Sequence, residues 1–288
     1  MTYKFTVLSS EQGMRLLQFL RDHLSSYSSV KGLKRAIEKR GCKINGRIET
    51  FSTAILKKGD VVELSLKEEK QLPFGLLVLY EDEDLLICNK PAGLVSDNKA
   101  FNDRMPAYKG SLLLAHRLDK ETSGAIILAK SEQMKKALTQ LFAKREVEKT
   151  YLAIVDGVVL KQSGDIDTFL APKQSYEGQT IYGSAGKGDR AITHWECLKR
   201  GLNSSLILCK PVTGRTHQLR VHLKEIGHPI LGDSQYSRSF SCPFHAQRHL
   251  LHAHTVAFIH PLNQEKITAT APIPDDFIEA QEALELLI

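Results

Sequence analysis

Two short stretches of this 288-residue chain hold most of its candidate chemistry. The first is Ala115-His116-Arg117-Leu118-Asp119-Lys120-Glu121-Thr122-Ser123-Gly124-Ala125. It joins the apolar segment Ser111-Leu112-Leu113-Leu114-Ala115 to a second apolar run, Gly124-Ala125-Ile126-Ile127-Leu128-Ala129-Lys130. A turn there carries the carboxylate of Asp119 out of a hydrophobic wall, although a surface turn is the default reading for any single Asp. The second stretch is Thr213-Gly214-Arg215-Thr216-His217-Gln218-Leu219-Arg220-Val221-His222-Leu223. With Thr216 as N-cap of a helix over 216–226, Leu219 and Leu223 share one face, and Arg215 and Arg220 project near its start. A cation is disfavoured at a helix N-terminus, so an arginine there needs another partner, and a carboxylate is the obvious one.

Other groupings are weaker. His245, His249, His252, His254 and His260 crowd together, and His245 and His249 have the i, i+4 spacing of a helical metal pair. They lack the glutamate of a His-Glu-x-x-His motif, so no metal is expected. The segment Gly183-Ser184-Ala185-Gly186-Lys187-Gly188-Asp189 fails the spacing of a phosphate-binding loop. Trp195 and Phe244 read as core or loop packing rather than as platforms for a ligand.

The elements that must position these residues follow from periodicity. From 76 onward β-type segments dominate: LLVLYE, DLLICNK, GAIILAK, KTYLAIVDG, SSLILCK and HTVAFIHP. Helical patterns interrupt them at 131–144, where Ser131 is the N-cap and Met134, Ala137, Leu138 and Leu141 share a face, at 216–226, and at 275–287. Strands with irregularly interspersed helices predict an α+β fold with a mostly antiparallel mixed β-sheet flanked by helices and loops. The polar, Gly-rich stretch 173–190 reads as a mobile surface loop.

The first 70 residues look separate. Leu16, Leu17, Leu20 and Leu24 form one helical face, and KGLKRAIEKR at 31–40 forms a second amphipathic segment with Leu33, Ala36 and Ile37 as its stripe, stopped by Gly41. Cys42-Lys43-Ile44-Asn45-Gly46-Arg47 reads as strand, turn and strand, and Gly59-Asp60 precedes the alternating strand VVELSL. Residues 67–75, KEEKQLPFG, read as linker, so the boundaries are 1–70 for a small α/β domain, 71–76 for a connector and 77–288 for the larger domain.

Charge supports that division. The chain holds 39 Lys and Arg against 33 Asp and Glu, and residues 1–70 hold 14 against 8, so the whole surplus of six lies there. A basic module beside a balanced one predicts a polyanionic partner, nucleic acid above all. The bland alternative is a solvated basic face. No apolar run reaches the ~20 residues of a membrane-spanning helix, and the N-terminus lacks signal-peptide character, so a cytoplasmic protein is expected. Five scattered cysteines without a Cys-x-x-Cys pair read as reduced, mostly buried thiols.

The order of elements over 13–66, the Lys43-Ile44-Asn45-Gly46 turn and the closing Gly59-Asp60-Val61-Val62-Glu63-Leu64 strand resemble the S-four type RNA-binding domain. That resemblance implies a phosphate-facing surface of Lys31, Lys34, Arg35, Lys39 and Arg40, with Lys43 beside it. Ser28-Ser29-Val30-Lys31 departs from the Ser-Arg pair that often opens the family's second helix.

Over roughly 76–275 the chain resembles the RluA-type pseudouridine synthases. His116-Arg117-Leu118-Asp119-Lys120-Glu121-Thr122-Ser123-Gly124 matches the family's H-R-L-D-x-x-T-S-G, and Gly214 to His222 matches its G-R-T-H-Q-L/I-R-V-H. Lys90-Pro91-Ala92-Gly93, Glu148 to Val155, Gly227 to Asp233 and Leu251 to Pro261 match further segments in the correct order. The resemblance implies isomerisation of uridine to its C-glycoside, with no cofactor. Asp119 would be the nucleophile or the group that initiates proton removal at the sugar. Arg220 would be its partner, and Leu219 would pack on the uracil. Tyr151 would stack on the base and handle the proton leaving carbon 5, and Arg117 would fill the gap left by the flipped nucleotide. His116 and Arg215 would complete the substrate-binding set. The implied partner is RNA, ribosomal RNA before transfer RNA, bound by a monomer. A competing reading is a non-catalytic RNA-binding ribosome-assembly factor on the same scaffold, against which the complete set Asp119, Tyr151 and Arg220 speaks. A His-metal nuclease is a third. The family often carries a histidine soon after Pro-x-Gly, whereas here the stretch is VSDNKAFNDRMPAYKGSLLLA, so that loop's contacts do not transfer.

Overall fold

The structure, a computed structural model, describes residues 2–24, 33–34, 36–65, 75–176, 179–237 and 239–287. The chain divides into two compact units, Met1–Gln71 and Leu72–Ile288.

In the first unit β1 (Thr2–Thr6), α1 (Leu16–Leu24), β2 (Cys42–Ile44), β3 (Arg47–Glu49) and β4 (Val61–Ser65) build a sheet of order β1-β4-β2-β3, antiparallel throughout. Helix α1 buries Leu16, Phe19, Leu20 and Leu24, so Phe19 takes the place expected for Leu17, which is half-buried. Asn45 and Gly46 both have positive φ, as the two-residue hairpin turn requires. The Asn45 side chain then ties that turn to the next one, donating to Asp60 Oδ1 and accepting from the Val61 amide, both at 2.8 Å. Of the second amphipathic segment, Leu33 and Ile37 are fully buried, in line with the expected stripe. It closes as a π-type turn over Ile37–Gly41 with Arg40 left-handed, not as a regular helix through residue 40. Lys34, Arg40 and Lys43 are exposed, and Lys34 Nζ lies 3.8 Å from Glu38. Lys31, Arg35 and the side chain of Lys39 lie outside the described residues.

The second unit contains, in chain order, β5 (Val78–Glu81), β6 (Leu85–Lys90), α2 (Asn98–Arg104), β7 (Leu113–Leu114), β8 (Ser123–Ala129), α3 (Glu132–Lys144), β9 (Glu148–Asp156), β10 (Ser163–Tyr176), β11 (Gln179–Ser184), β12 (Asp189–Gly201), β13 (Ser204–Pro211), α4 (Gln218–Glu225), β14 (Leu251–Ile259), β15 (Lys266–Thr270) and α5 (Asp275–Ala283). Among the described residues they form an 11-stranded sheet of order β11-β10-β12-β13-β9-β14-β8-β6-β5, with β15 paired to β14 and β7 to β8. The pairings are antiparallel except β8 with β14, so the sheet is mixed and mostly antiparallel in an α+β fold.

All seven residues of β8 are buried because both faces are covered. Ala125, Ile127 and Ala129 join a core completed by Met134 and Leu138 of α3, while Ile126 and Leu128 join Phe101 of α2 and Leu118 on the other side. Such a strand reads as an unbroken apolar run, as GAIILAK does. Helix α3 starts as expected, with Ser131 Oγ accepting from the Met134 amide at 3.1 Å. At the parallel contact Gly124 has φ +116, and a Cβ built there would lie 2.2 Å from the Ala253 carbonyl oxygen. All five cysteines are free and buried.

Three expectations are corrected. The stretch 173–190 is not a loop: β10 runs to Tyr176 and β11 returns from Gln179 as a hairpin. Its strands lie at the edge of the sheet, where polar side chains can face water on both sides, so no apolar alternation marks them. Helix α4 starts at Gln218 rather than after Thr216, with His217 at the N-cap in a left-handed conformation, φ 57. The Gln218 side chain fastens the chain entering the helix, since its Oε1 accepts from the Arg215 amide at 3.0 Å and from Thr213 Oγ1 at 2.7 Å. His245 and His249 lie in no helix, which removes the helical metal pair.

Candidate active site

The loop bearing Asp119 leads into β8 and is fastened from below. Lys90, fully buried at the end of β6, donates through Nζ to the carbonyls of Leu94 at 2.9 Å and of Pro91 and Lys120 at 3.0 Å. Burial pushes its ammonium down to about 7, against the opposing charge of Glu121. Ser96 Oγ donates to the Leu118 carbonyl at 2.7 Å and accepts from its amide at 3.1 Å. On the far side of Asp119, the Thr122 amide turns back to the Asp119 carbonyl at 3.0 Å. Thr122 Oγ1 meets His249 Nε2 at 2.8 Å, and Ser123 Oγ meets His252 Nδ1 at 3.0 Å. The buried Arg248 donates to the Glu121 carbonyl at 3.0 Å and to Asp276 of α5 through Nε at 2.7 Å and Nη2 at 2.9 Å. The main chain around the carboxylate is thus tied by the side chains of Lys90, Ser96 and Arg248.

The carboxylate itself meets α4. Arg220 Nη1 donates to Asp119 Oδ2 at 3.1 Å. The same guanidinium donates through Nε and Nη2 to the two oxygens of Asp233, each at 2.7 Å, and through Nη2 to Gln235 Oε1 at 2.7 Å. It lies over the Tyr236 ring with its central carbon 4.9 Å from the centroid. Burial works against the charge of Arg220, but Asp233 first and Asp119 second outweigh it and raise its pKa above the ordinary value. The expectation that an arginine at this helix start has a carboxylate partner is met twice over. His217 Nε2 lies 3.9 Å from Asp119 Oδ1, and its Nδ1 is 2.8 Å from the Tyr236 hydroxyl. Burial lowers the His217 pKa, with Asp119 opposing. Tyr151 on β9 has its phenol pushed up by burial and then by the Asp119 charge.

Asp119, Tyr151, Arg220, Leu219, Arg215 and Arg117 line one open cleft of about 90 Å³, together with Lys149, His217 and Thr122. Leu219 is buried in its wall and Arg117 is exposed at its edge. Arg215 has its Nη1 3.8 Å from Asp189 and its Nε donating to the Arg190 carbonyl at 3.3 Å. His116 is not brought to this cleft. Its ring packs on Phe142 with centroids 4.7 Å apart, its Nε2 accepts from the Ile127 amide at 3.0 Å, and burial drives its pKa down to about 3. His249, His252 and His254 are hydrogen-bonded elsewhere, and Trp195 is buried in the core. Sequence reasoning did not single out Asp233, Gln235, Tyr236, His217 or Lys90 as site residues. All of them stand inside or beside the matched segments, and that placement was the available signal.

A carboxylate held against a buried arginine lines a cleft in a mixed sheet together with the ring of Tyr151, an arrangement suited to nucleophilic or acid–base chemistry. Comparison with known proteins narrows this. The profile of the RNA pseudouridylate synthase family matches residues 84–225. Ribosomal large subunit pseudouridine synthase D of Zymomonas mobilis is 37% identical over 232 residues, 73% of this chain and 72% of that one. The protein of the same name from Haemophilus ducreyi is 32% identical over 99% of this chain and 95% of its own. Among solved structures, human RNA pseudouridylate synthase domain containing 4 superposes with a TM-score of 0.62 at 27% identity, over 74% of this chain and 94% of that one. The chain belongs to the RNA pseudouridylate synthase family, and it is an isomerase that makes pseudouridine in RNA.

Proposed function

We propose that this enzyme converts uridine to pseudouridine in large-subunit ribosomal RNA, with Asp119 as the reacting carboxylate. The observation that carries the reading is the Asp119–Arg220 hydrogen bond of 3.1 Å inside the cleft, with Arg220 itself locked by Asp233. The target class follows from the relatives named ribosomal large subunit pseudouridine synthase D. In the reaction the N1–C1′ bond breaks and a C5–C1′ bond forms. The proton on carbon 5 is lost and N1 gains one, so no atom is consumed. Asp119 starts this by attacking the sugar or by removing a proton from it, and in either case acts as the anion. A fixed guanidinium holds it in place. Tyr151, whose phenol burial keeps protonated, stacks on the base and relays the carbon 5 proton, passing its own hydroxyl proton to solvent as it receives that one. Leu219 supports the ring, while Arg215 and Arg117 hold the flanking backbone and the vacated stack. Flipping the nucleotide out costs about a few kcal/mol, and less in a loop whose bases are already unstacked.

Residues 1–70 act as an S-four type RNA-binding module ahead of the catalytic domain, 77–288. The helix, hairpin and closing strand support this, as does the concentration of the whole charge surplus there. Lys31, Lys34, Arg35, Lys39, Arg40 and Lys43 bind phosphate, which positions RNA without reading its sequence. The enzyme works as a cytoplasmic monomer. Among the described residues no helix is long and apolar enough to cross a membrane.

The deciding experiment uses ribosomal RNA carrying tritium at carbon 5 of uracil. Asp119→Asn and Asp119→Ala, both folded, should release no tritium, whereas full release by either removes the carboxylate from the mechanism.

A further inference from the structure

Asp119 has two oxygens, and Arg220 accounts for Oδ2 only. Facing Oδ1 at 3.9 Å is Nε2 of His217. The protonation state of that nitrogen is set by a chain of contacts that starts outside the cleft. The Tyr182 amide on β11 donates to the Tyr236 hydroxyl oxygen at 3.1 Å. That leaves the phenol's own hydrogen available for His217 Nδ1, 2.8 Å away. An imidazole that accepts at Nδ1 carries its hydrogen on Nε2 when neutral. Nε2–H then points toward the unserved oxygen of Asp119.

We propose that His217 is a positioning residue for Asp119, a neutral imidazole whose Nε2–H takes the second carboxylate oxygen, with its tautomer fixed by Tyr236. This rests on the reading of Asp119 as the reacting carboxylate. With one oxygen on Arg220 and the other on His217, the carboxylate can no longer rotate about its Cβ–Cγ bond, and one edge is presented to the sugar. The 3.9 Å separation is longer than a hydrogen bond, and such contacts tighten when substrate fills a site.

Two further features support the assignment. His217 adopts a left-handed backbone, a conformation that Gly or Asn accepts at lower cost and neither with a ring nitrogen. Burial of the ring also favours the neutral form. It faces Asp119, Arg220 and Asp233, with His249 close by, and burial outweighs the acidic neighbours.

The test compares His217→Phe, His217→Gln and Tyr236→Phe by tritium release, with the tautomer of the unmodified full-length protein read by nitrogen-15 NMR. His217→Phe should lower kcat about tenfold, the worth of one hydrogen bond to a charged group, with KM changed less than about twofold. His217→Gln should recover most of that loss, because its terminal amide N–H reaches the place of Nε2–H. Tyr236→Phe should fall between them. The NMR spectrum should show hydrogen on Nε2 and a bare Nδ1, and this holds even if a variant fails to fold. A full kcat in His217→Phe, equal loss in the Phe and Gln variants, or hydrogen on Nδ1 would each overturn the proposal. An inactive Asp119→Asn alongside a fully active His217→Phe refutes the role of His217 alone, whereas an active Asp119→Asn refutes the reading beneath it.

Discussion

Arg220 serves four acceptor oxygens with one planar group: two on Asp233, one on Gln235 and one on Asp119. A lysine could not do this, since a point charge on a flexible stem cannot grip a carboxylate in a fork and still reach a second one. The consequence is sharpest for Asp233, which is 2% exposed and depends on Arg220 for its compensation. Arg220→Met should therefore destabilise the fold by about 3–5 kcal/mol, measured by urea unfolding, because it strands a buried charge. The double variant Arg220→Met/Asp233→Leu should regain much of that stability and remain inactive. At this scale the sequence was informative about Asp119 and Arg220, each of which stands in a compact polar block. It was silent on Asp233 as a partner, because the bond spans thirteen residues and a helix, and nothing in local spacing encodes it.

Elements differ in how plainly their residues announce them. Strand β8 and helix α3 were legible because burial on both faces writes an apolar run and burial on one face writes a 3.6-residue period. The β10–β11 hairpin was not, since its glycines and polar residues satisfy an edge ribbon as well as they would a loop. Helix α4 was found but begun too early, because a left-handed N-cap supported by Gln218 leaves no Ser, Thr, Asp or Asn signature. A tight element contact near the site is the parallel crossing of β8 and β14 at Gly124, shortly after the Asp119 loop. Gly124→Ala adds a methyl 2.2 Å from a backbone oxygen at φ +116, so strand or loop must shift. A loss of at least about 3 kcal/mol in urea unfolding is expected, with kcat falling further than stability alone explains. A change below about 1 kcal/mol would show that the crossing can open.

At the scale of the whole molecule, the histidines set a limit on acid tolerance. His222 and His252 are fully buried, and burial pushes each down to about 4 from 6.5. Above pH 6.5 neither the folded nor the unfolded chain protonates them, so they leave stability unchanged. Below 6.5 the unfolded chain takes up protons that the folded one refuses. Stability then falls by about 1.4 kcal/mol per pH unit for each histidine, until the folded groups titrate near 4. Unfolding free energies measured from pH 7.5 to 4.5 should be flat at first and then steepen, and His252→Gln should reduce the slope.

The buried thiols give the two units something further in common. Burial raises Cys42 of the first unit to about 11, and Cys88 and Cys209 of the second to about 12. Near neutral pH almost none of these sulfurs is a thiolate, and the thiolate is the form that reacts. Alkylating reagents therefore have to wait for each unit to open. Because the cysteines are divided between the units, the order in which they are trapped distinguishes opening of the first unit from opening of the second, with no probe attached.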